Sequence, residues 1–279
     1  MSSNKIWFVT GASKGMGLTL VRKLLEQGYK VAATSRTKAD LEKAVGSNDR
    51  FLAINLDLSD EKEVQTAISA TIEHFGGLDV VVNNAGYGQI GFIEEVSDEL
   101  VRKNFEINVF GTLNVLRQAL PQLRKQKSGH IINFSSVGGF YGFAGGGIYG
   151  ATKFAVDGIS EALSQELQPF GIHVTAIKPG YFRTNFLSEG SISGTTTNLI
   201  DDYKTMRDGQ EAFLKDFDKN QPGDPEKAMD VLIKVTESEH PPVHLFLGQD
   251  AYDVANNKIV NVQKDLTEWE TLGTSTDFI

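Results

Sequence analysis

Ser136, Tyr149 and Lys153 fall within one run, SSVGGFYGFAGGGIYGATK, and their side chains suit proton transfer to or from an oxygen. Tyr149 and Lys153 are four residues apart, so on a helix they share a face one turn from each other. A free phenol has a pKa of about 10, too high for ready proton exchange at neutral pH. A neighbouring ammonium favours the phenolate, and the spacing therefore predicts a lowered Tyr149 pKa. The Ser136 hydroxyl is placed to hold a carbonyl or alcohol oxygen beside the phenol. Gly138, Gly139 and Gly142 leave room for that substrate. The plainer reading of an isolated YxxxK is a surface pair on an ordinary helix, and the rest of the chain decides between the two.

Alternating strand-like and helix-like segments position this run. Apolar, β-prone strands are predicted at 5–10, 30–35, 51–55, 78–84, 130–136, 172–178 and 243–247. Helices are predicted at 15–28, 38–45, 60–75, 98–125, 149–168, 225–238 and 250–271. Continuous apolar strands joined by helices imply a parallel sheet covered on both faces, an α/β doubly wound fold in one domain over 1–279. The segment 183–222, containing GSISGTTTN, is the least regular and reads as a substrate-loop insertion.

The first strand runs into TGASKGMG. Gly11, Gly15 and Gly17 permit a tight turn and close approach to a pyrophosphate, with a helix N-terminus behind them. An acid at the end of the second strand would select NAD. Here stand Ser35, Arg36 and Thr37, with Lys14 in the glycine turn, a set that suits a phosphate dianion and points to NADP(H) over NAD(H). The alternative leaves Lys14 and Arg36 as solvated cations. Asp57 reads either as an acceptor for the adenine amine or as helix-entry chemistry before Ser59.

The chain has 279 residues, 40% hydrophobic and 23% charged, enough for one large core. No run of about 18 apolar residues is present, so no membrane span is expected. The N-terminus has no signal-peptide anatomy, and a cytoplasmic location is expected. Cysteine is absent, which excludes disulfides and thiolate metal sites. A net charge of −9 argues against nucleic-acid or anionic-membrane partners. His240 and His244 form HxxxH, but Pro241 and Pro242 forbid the helix that would make it a metal pair, and no metal is expected.

Taken together, TGASKGMG (10–17), NLDL (55–58), NNAG (83–86), Asn108 in FEINVFGT, Ser136, YGATK (149–153) and PGYFRT (179–184) resemble the short-chain dehydrogenase/reductase family over residues 5 to about 185. The resemblance implies a Rossmann-type seven-stranded sheet in the order 3-2-1-4-5-6-7. It implies catalytic roles for Asn108, Ser136, Tyr149 and Lys153, with Ser136 chosen over Ser135 by its distance from the tyrosine. It also implies cofactor contacts from the turn residues Ser13, Lys14, Gly15, Met16 and Gly17, from Asp57 and Leu58, and from Asn84, Ala85 and Gly86. Tyr149, Lys153, Pro179, Gly180, Phe182 and Thr184 would complete that set, and Asn83 would tie strands together.

The implied activity is NADPH-dependent interconversion of a ketone or aldehyde and an alcohol. Tyr87 through Ile93, Phe140, Tyr141, Phe143, Phe186, Leu187 and Ile192 are candidate walls for an apolar substrate, some of them core residues. A nucleotide-sugar epimerase or dehydratase, or an NADPH-binding redox sensor without turnover, are the competing readings. A homodimer or homotetramer through 98–125 and 149–168 is expected. Ala155, Ile159, Ala162, Leu163 and Leu167 give the second helix an apolar stripe for either the sheet or a partner. Lys178 departs from the family pattern, and the glycine-rich GFAGGG (142–147) leaves the shape of one wall open.

Overall fold

The computed structural model describes residues 5–187, 192–193 and 198–278. Its strands are β1 (Ile6–Val9), β2 (Lys30–Ser35), β3 (Phe51–Asn55), β4 (Val80–Asn83), β5 (Gly88–Gln89), β6 (Gly129–Phe134), β7 (Ile172–Pro179), β8 (Ile192–Ser193) and β9 (His244–Leu247). Seven of them form one sheet in the order β3-β2-β1-β4-β6-β7-β9, with every pairing parallel. Counted without the short β5 and β8, this is the expected order. Those two pair with each other beyond the main sheet.

Helices α1 (Gly15–Glu26), α2 (Lys38–Val45) and α3 (Glu61–Phe75) follow the first three strands. Then come α4 (Asp98–Phe105), α5 (Gly111–Gln126), α6 (Gly147–Leu167), α7 (Lys204–Phe217), α8 (Pro225–Val235) and α9 (Gln249–Thr274). Strands buried on both faces are why their sequences are apolar without alternation: Phe8 packs with Val64, Leu116 and Leu123 on one side of the sheet, Trp7 and Val9 with Leu20, Leu24 and Met229 on the other. Asp60 and Asp224 cap α3 and α8 by accepting first-turn N–H groups.

Two expectations are corrected. The single helix over 98–125 is two helices, α4 and α5, joined by a π-type turn at Glu106–Phe110. Such a turn inserts a residue into the helical ladder and is common at functional sites. Asn108 sits inside it, 1% exposed. Segment 183–222 is not merely a loop: it contains α7. That helix is anchored to the loop after β5 by stacking of Tyr203 on Phe92 at 4.7 Å and by the Arg207–Glu95 ion pair. Residues 188–191 and 194–197 of the segment lie outside the described residues.

His130 is buried in β6 beside His173, and its Nε2 lies 2.9 Å from Thr175 Oγ1. Thr175 Oγ1 donates to Pro242 O at 2.7 Å, so it accepts from His130, which is neutral with its proton on Nε2. Burial first, then the neighbouring His173 and Lys5, push its pKa down to about 3. The unfolded chain, with a histidine pKa of about 6.5, binds this proton first as the pH falls. Stability is therefore full above about pH 6.5 and declines by about 1.4 kcal/mol per pH unit toward the folded value. In urea titrations His130→Gln should flatten that decline between pH 6 and 4 (roughly the window set by the two values). An unchanged slope would show that His130 is not its source.

Candidate active site

Parallel register sets the carboxyl ends of the central strands side by side: Val9 against Val82, Asn83 against Asn133, Phe134 against Ile177. In such sheets ligands bind outside these ends. The side chains there also brace one another. Asn83 Nδ2 donates to Asn133 Oδ1 at 2.8 Å, and Asn133 Nδ2 donates to Ser160 Oγ of α6 at 2.9 Å, tying two strands and a helix together. Asn84 Nδ2 donates to the carbonyls of Thr10 and Gly11, each at 2.9 Å, locking NNAG onto the glycine turn.

Above this edge opens a cleft of about 1080 Å³. Its lining includes Gly11, Ser13, Lys14, Gly15, Met16, Ser35, Arg36, Asp57, Leu58, Asn84, Ala85, Gly86, Ser136, Tyr149, Lys153, Pro179, Gly180, Phe182 and Thr184. Three of the sequence candidates are not on its surface. Gly17 lies beneath, where a side chain would collide with Gly11 O at 2.7 Å. Thr37 precedes α2, and its N–H donates to Ser35 Oγ at 3.3 Å. Asn108 is buried behind the floor, its Oδ1 accepting from Tyr87 N at 3.1 Å and its Nδ2 donating to Tyr87 O and Thr152 Oγ1, each at 3.0 Å.

The adenosine end of the cleft tests whether a dinucleotide fits. Gly11 has φ +66°, and an added Cβ there would lie 2.7 Å from Ala85 Cα, so only glycine closes this turn. Helix α1 starts at Gly15 with no side-chain cap, leaving its first-turn N–H groups and positive dipole end for an anion. Arg36 is exposed at the rim, and Lys14 stands in the turn. Asp57 accepts from the Ser59 hydroxyl at 2.7 Å and from Ser59 N at 2.9 Å. Those bonds, with Arg36 nearby, hold its carboxyl below the usual range. Helix-entry chemistry is thus present at Asp57, and the residue still faces the cleft. The donors and cations present fit a dinucleotide.

At the other end stand the reactive side chains. Tyr149 is 8% exposed and hydrogen-bonded to Ser136, whose Oγ accepts from Gly138 N at 3.0 Å. Lys153 Nζ lies 5.7 Å from the Tyr149 ring centroid and donates to Phe134 O at 2.7 Å. The expected lowering of the Tyr149 pKa is not what this geometry produces. Burial pushes the phenol up to about 12, and the Ser136 hydrogen bond offsets only part of that. Burial also pushes Lys153 down to about 8, against the opposing pull of Asp157 one turn along α6. The phenol therefore holds its proton at neutral pH, and the lysine is the group that titrates near it.

Lys178 does not face the cleft. It is fully buried behind α6, 3.0 Å from Asp157 Oδ1 and 2.9 Å from His244 Nδ1. Its burial lowers its own pKa and that of Asp157 rises. Of the proposed substrate walls, Tyr87, Gly88, Ile90, Phe143, Phe186, Leu187 and Ile192 line the cleft. Phe140 instead packs on Phe246 at 5.3 Å, and Phe92 on Tyr203. Tyr141 and Ile93 are exposed, outside the lining. Glycines 145 and 146 now have a reason: side chains there would occupy the space of the Gln210 amide and the Phe143 ring. The 183–222 segment, expected on the substrate side, also lines the cleft through Gln210, Phe213 and Leu214 of α7, which the sequence did not single out. The helical spacing of Tyr203, Met206, Gln210, Phe213 and Phe217 was the available signal.

The chain belongs to the short chain dehydrogenase family, whose model matches residues 5–191. It is 33% identical over 270 residues to oxidoreductase BOA17 of Botryotinia fuckeliana, covering 96% of this chain and 97% of that relative. It is 36% identical over 246 residues to the 3-ketodihydrosphingosine reductase of Bacteroides thetaiotaomicron, 88% of each chain. A short-chain dehydrogenase from Streptomyces avermitilis superposes with TM-score 0.91 at 36% identity, covering 99% of this chain and 100% of the other. Structural neighbours hold either nicotinamide coenzyme. The 3-ketoacyl-(acyl-carrier-protein) reductase of Brucella melitensis contains NADH (25% identity, TM-score 0.74, 88% and 98% coverage), and ElxO contains NADP (25%, 0.71, 87% and 96%). The chain is an oxidoreductase of this family, acting on a small molecule. Among the described residues, no helix is long and apolar enough to cross a membrane and no cluster of metal-ligating side chains occurs.

Lys178→Met should cost about 3–5 kcal/mol, because it strands the Asp157 charge in the interior. Adding Asp157→Leu should recover most of that loss in the urea midpoint. A Lys178→Met protein as stable as the wild type would mean that the pair is neutral when buried.

Proposed function

We propose that the chain interconverts an apolar ketone or aldehyde and its alcohol, with NADP(H) preferred over NAD(H). The observation that carries this reading is the Ser136–Tyr149 hydroxyl pair, which shares one cleft with an uncapped helix N-terminus and two cations. Residues 1–279 are read as one catalytic domain, and 183–222 as its substrate-side insertion.

Gly11, Ser13, Gly15, Met16 and the α1 N-terminus would hold the coenzyme pyrophosphate, Lys14, Ser35 and Arg36 its 2′-phosphate, and Asp57 and Leu58 the adenine. Asn84, Ala85 and Gly86 would line the adenosine ribose. Pro179, Gly180, Phe182 and Thr184 would orient the nicotinamide. When bound, the reduced coenzyme supplies a hydride to the carbonyl carbon. Ser136 Oγ and Tyr149 Oη grip the carbonyl oxygen, and the Tyr149 proton moves to that oxygen, yielding the alcohol.

A phenol near 12 enters that step protonated, the state reduction requires. Lys153, near 8, lies close enough to stabilise the phenolate left behind and has a proton to return to it. Asn108 acts from behind the floor, holding the Tyr87 backbone and Thr152 on α6 in register with Tyr149. Phe143, Phe186, Ile192 and Phe213 give the substrate end an apolar wall, and the Bacteroides relative is named for reduction of a 3-keto compound, 3-ketodihydrosphingosine.

Tyr149→Phe should keep NADPH binding by fluorescence and lose about 10²–10⁴-fold in turnover; wild-type turnover would remove Tyr149 from the chemistry. For carbonyl reduction, kcat/KM should be flat below about pH 8 and fall above it as the Lys153 ammonium loses its proton. A profile flat through pH 10, more than a unit above that value, would contradict the assignment. Arg36→Asp should lower the NADPH/NADH preference by about 10–100-fold, the worth of a charged hydrogen bond. An unchanged ratio would take Arg36 out of the phosphate site.

A further inference from the structure

One buried charge pair takes no direct part in the proposed reaction. Lys178 of β7 and Asp157 of α6 are both buried, with Lys178 Nζ 3.0 Å from Asp157 Oδ1, and neither lines the cleft. Well-packed apolar side chains in place of such a pair are often as stable or more so. Stability therefore gives little reason for two charges here, and their position supplies another. Asp157 follows Lys153 by four residues on α6, so the two side chains share a face one turn apart. Phe134, whose carbonyl accepts from Lys153 Nζ at 2.7 Å, pairs across the sheet with Ile177, the residue before Lys178. The ion pair is thus built beside the strand end that holds Lys153.

The charges around these groups are few. Lys153 faces Asp157, the Phe134 carbonyl and the Tyr149 ring. Asp157 faces Lys178, Lys153 and His244, with the Ser135 hydroxyl against its carboxyl. Lys178 faces Asp157, His244 of β9 at 2.9 Å, Glu161 of α6 and the Phe246 ring at 5.4 Å. Among the described residues, Asp157 is the carboxylate that acts on Lys153.

We infer that Asp157 and Lys178 are positioning residues for the reaction: Asp157 is the counter-charge that keeps the Lys153 ammonium protonated through neutral pH, and Lys178 is what keeps Asp157 ionised. Burial alone drives Lys153 to shed its proton and Asp157 to take one up, which would cancel both charges. The Lys178 cation opposes the second change directly and the first through Asp157. It touches neither coenzyme nor substrate space, so its whole effect on the chemistry passes through that carboxylate.

This role of the pair rests on the catalytic part given to Lys153 above, so its test begins with a measurement that needs no turnover. In ligand-free protein carrying carbon-13 at the lysine ε carbons, the Lys153 NMR signal, assigned by its loss in Lys153→Arg, should titrate near pH 8. Asp157→Asn should move that midpoint down by about one pH unit. Lys178→Met combined with Asp157→Leu, which strands no charge, should do the same. Asp157→Glu keeps the carboxylate and should leave the midpoint near 8. Lys178→Met alone should lower it, as the stranded carboxyl takes up a proton. A midpoint unmoved in Asp157→Asn and in the double variant, or lowered as far in Asp157→Glu, overturns the inference. A rise in Lys178→Met overturns the part given to Lys178. The alkaline limb of kcat/KM for carbonyl reduction is then set beside these midpoints. A limb that follows them from variant to variant supports the pair as positioning residues, whereas a purely structural pair would lower activity at every pH and leave the limb in place. Midpoints that move under a fixed limb uphold the action of the pair on Lys153 and contradict the catalytic part of Lys153 itself.

Discussion

The candidate site depends on one buried cation. Lys153 has its ammonium in the interior, spending one proton on the Phe134 carbonyl and lying beneath the Tyr149 ring. Desolvation makes that charge expensive, which is why its pKa drops to about 8. What keeps the cation tolerable is the backbone carbonyl, and Asp157 one turn further along α6. Asp157 is in turn held by Lys178 and through it reaches His244. The charge next to the phenol is thus the end of a line of alternating charges, Lys153, Asp157 and Lys178, that runs behind α6 and ends on the His244 ring of β9.

Much of this was legible from residue spacing. The glycine turn, NNAG and YGATK were readable because each must satisfy a local geometric demand at a strand end: a positive φ at Gly11, an amide reaching back to Thr10 and Gly11, two side chains one helical turn apart. The sheet order followed from the resemblance these motifs carry together, and the strands' unbroken apolar runs agree with their burial on both faces.

What was not legible depends on tertiary surroundings. The π-type turn around Asn108 replaces one ladder pattern by another without any breaker residue to announce it. Helix α7 was hidden by the polar, glycine-containing stretch ahead of it, although its own apolar spacing is helical. The Tyr149 pKa was misjudged in sign, because sequence shows the neighbouring charge and not the burial of both groups, and for this phenol burial is the larger effect. Lys178, an oddity in sequence, finds its explanation only when β7, β9 and α6 are packed together.

The central claim is that hydride and proton arrive at one carbonyl from two different places, carbon-bound hydrogen from the coenzyme and oxygen-bound hydrogen from the protein. It is tested by giving the enzyme NADPH deuterated at the transferable position of the nicotinamide, with an apolar ketone, in ordinary water. The account predicts an alcohol bearing one deuterium on its carbinol carbon, seen by mass spectrometry, with one coenzyme oxidised per alcohol formed. Coenzyme that binds and is returned unoxidised over a panel of such ketones, or an alcohol with no label, would contradict it.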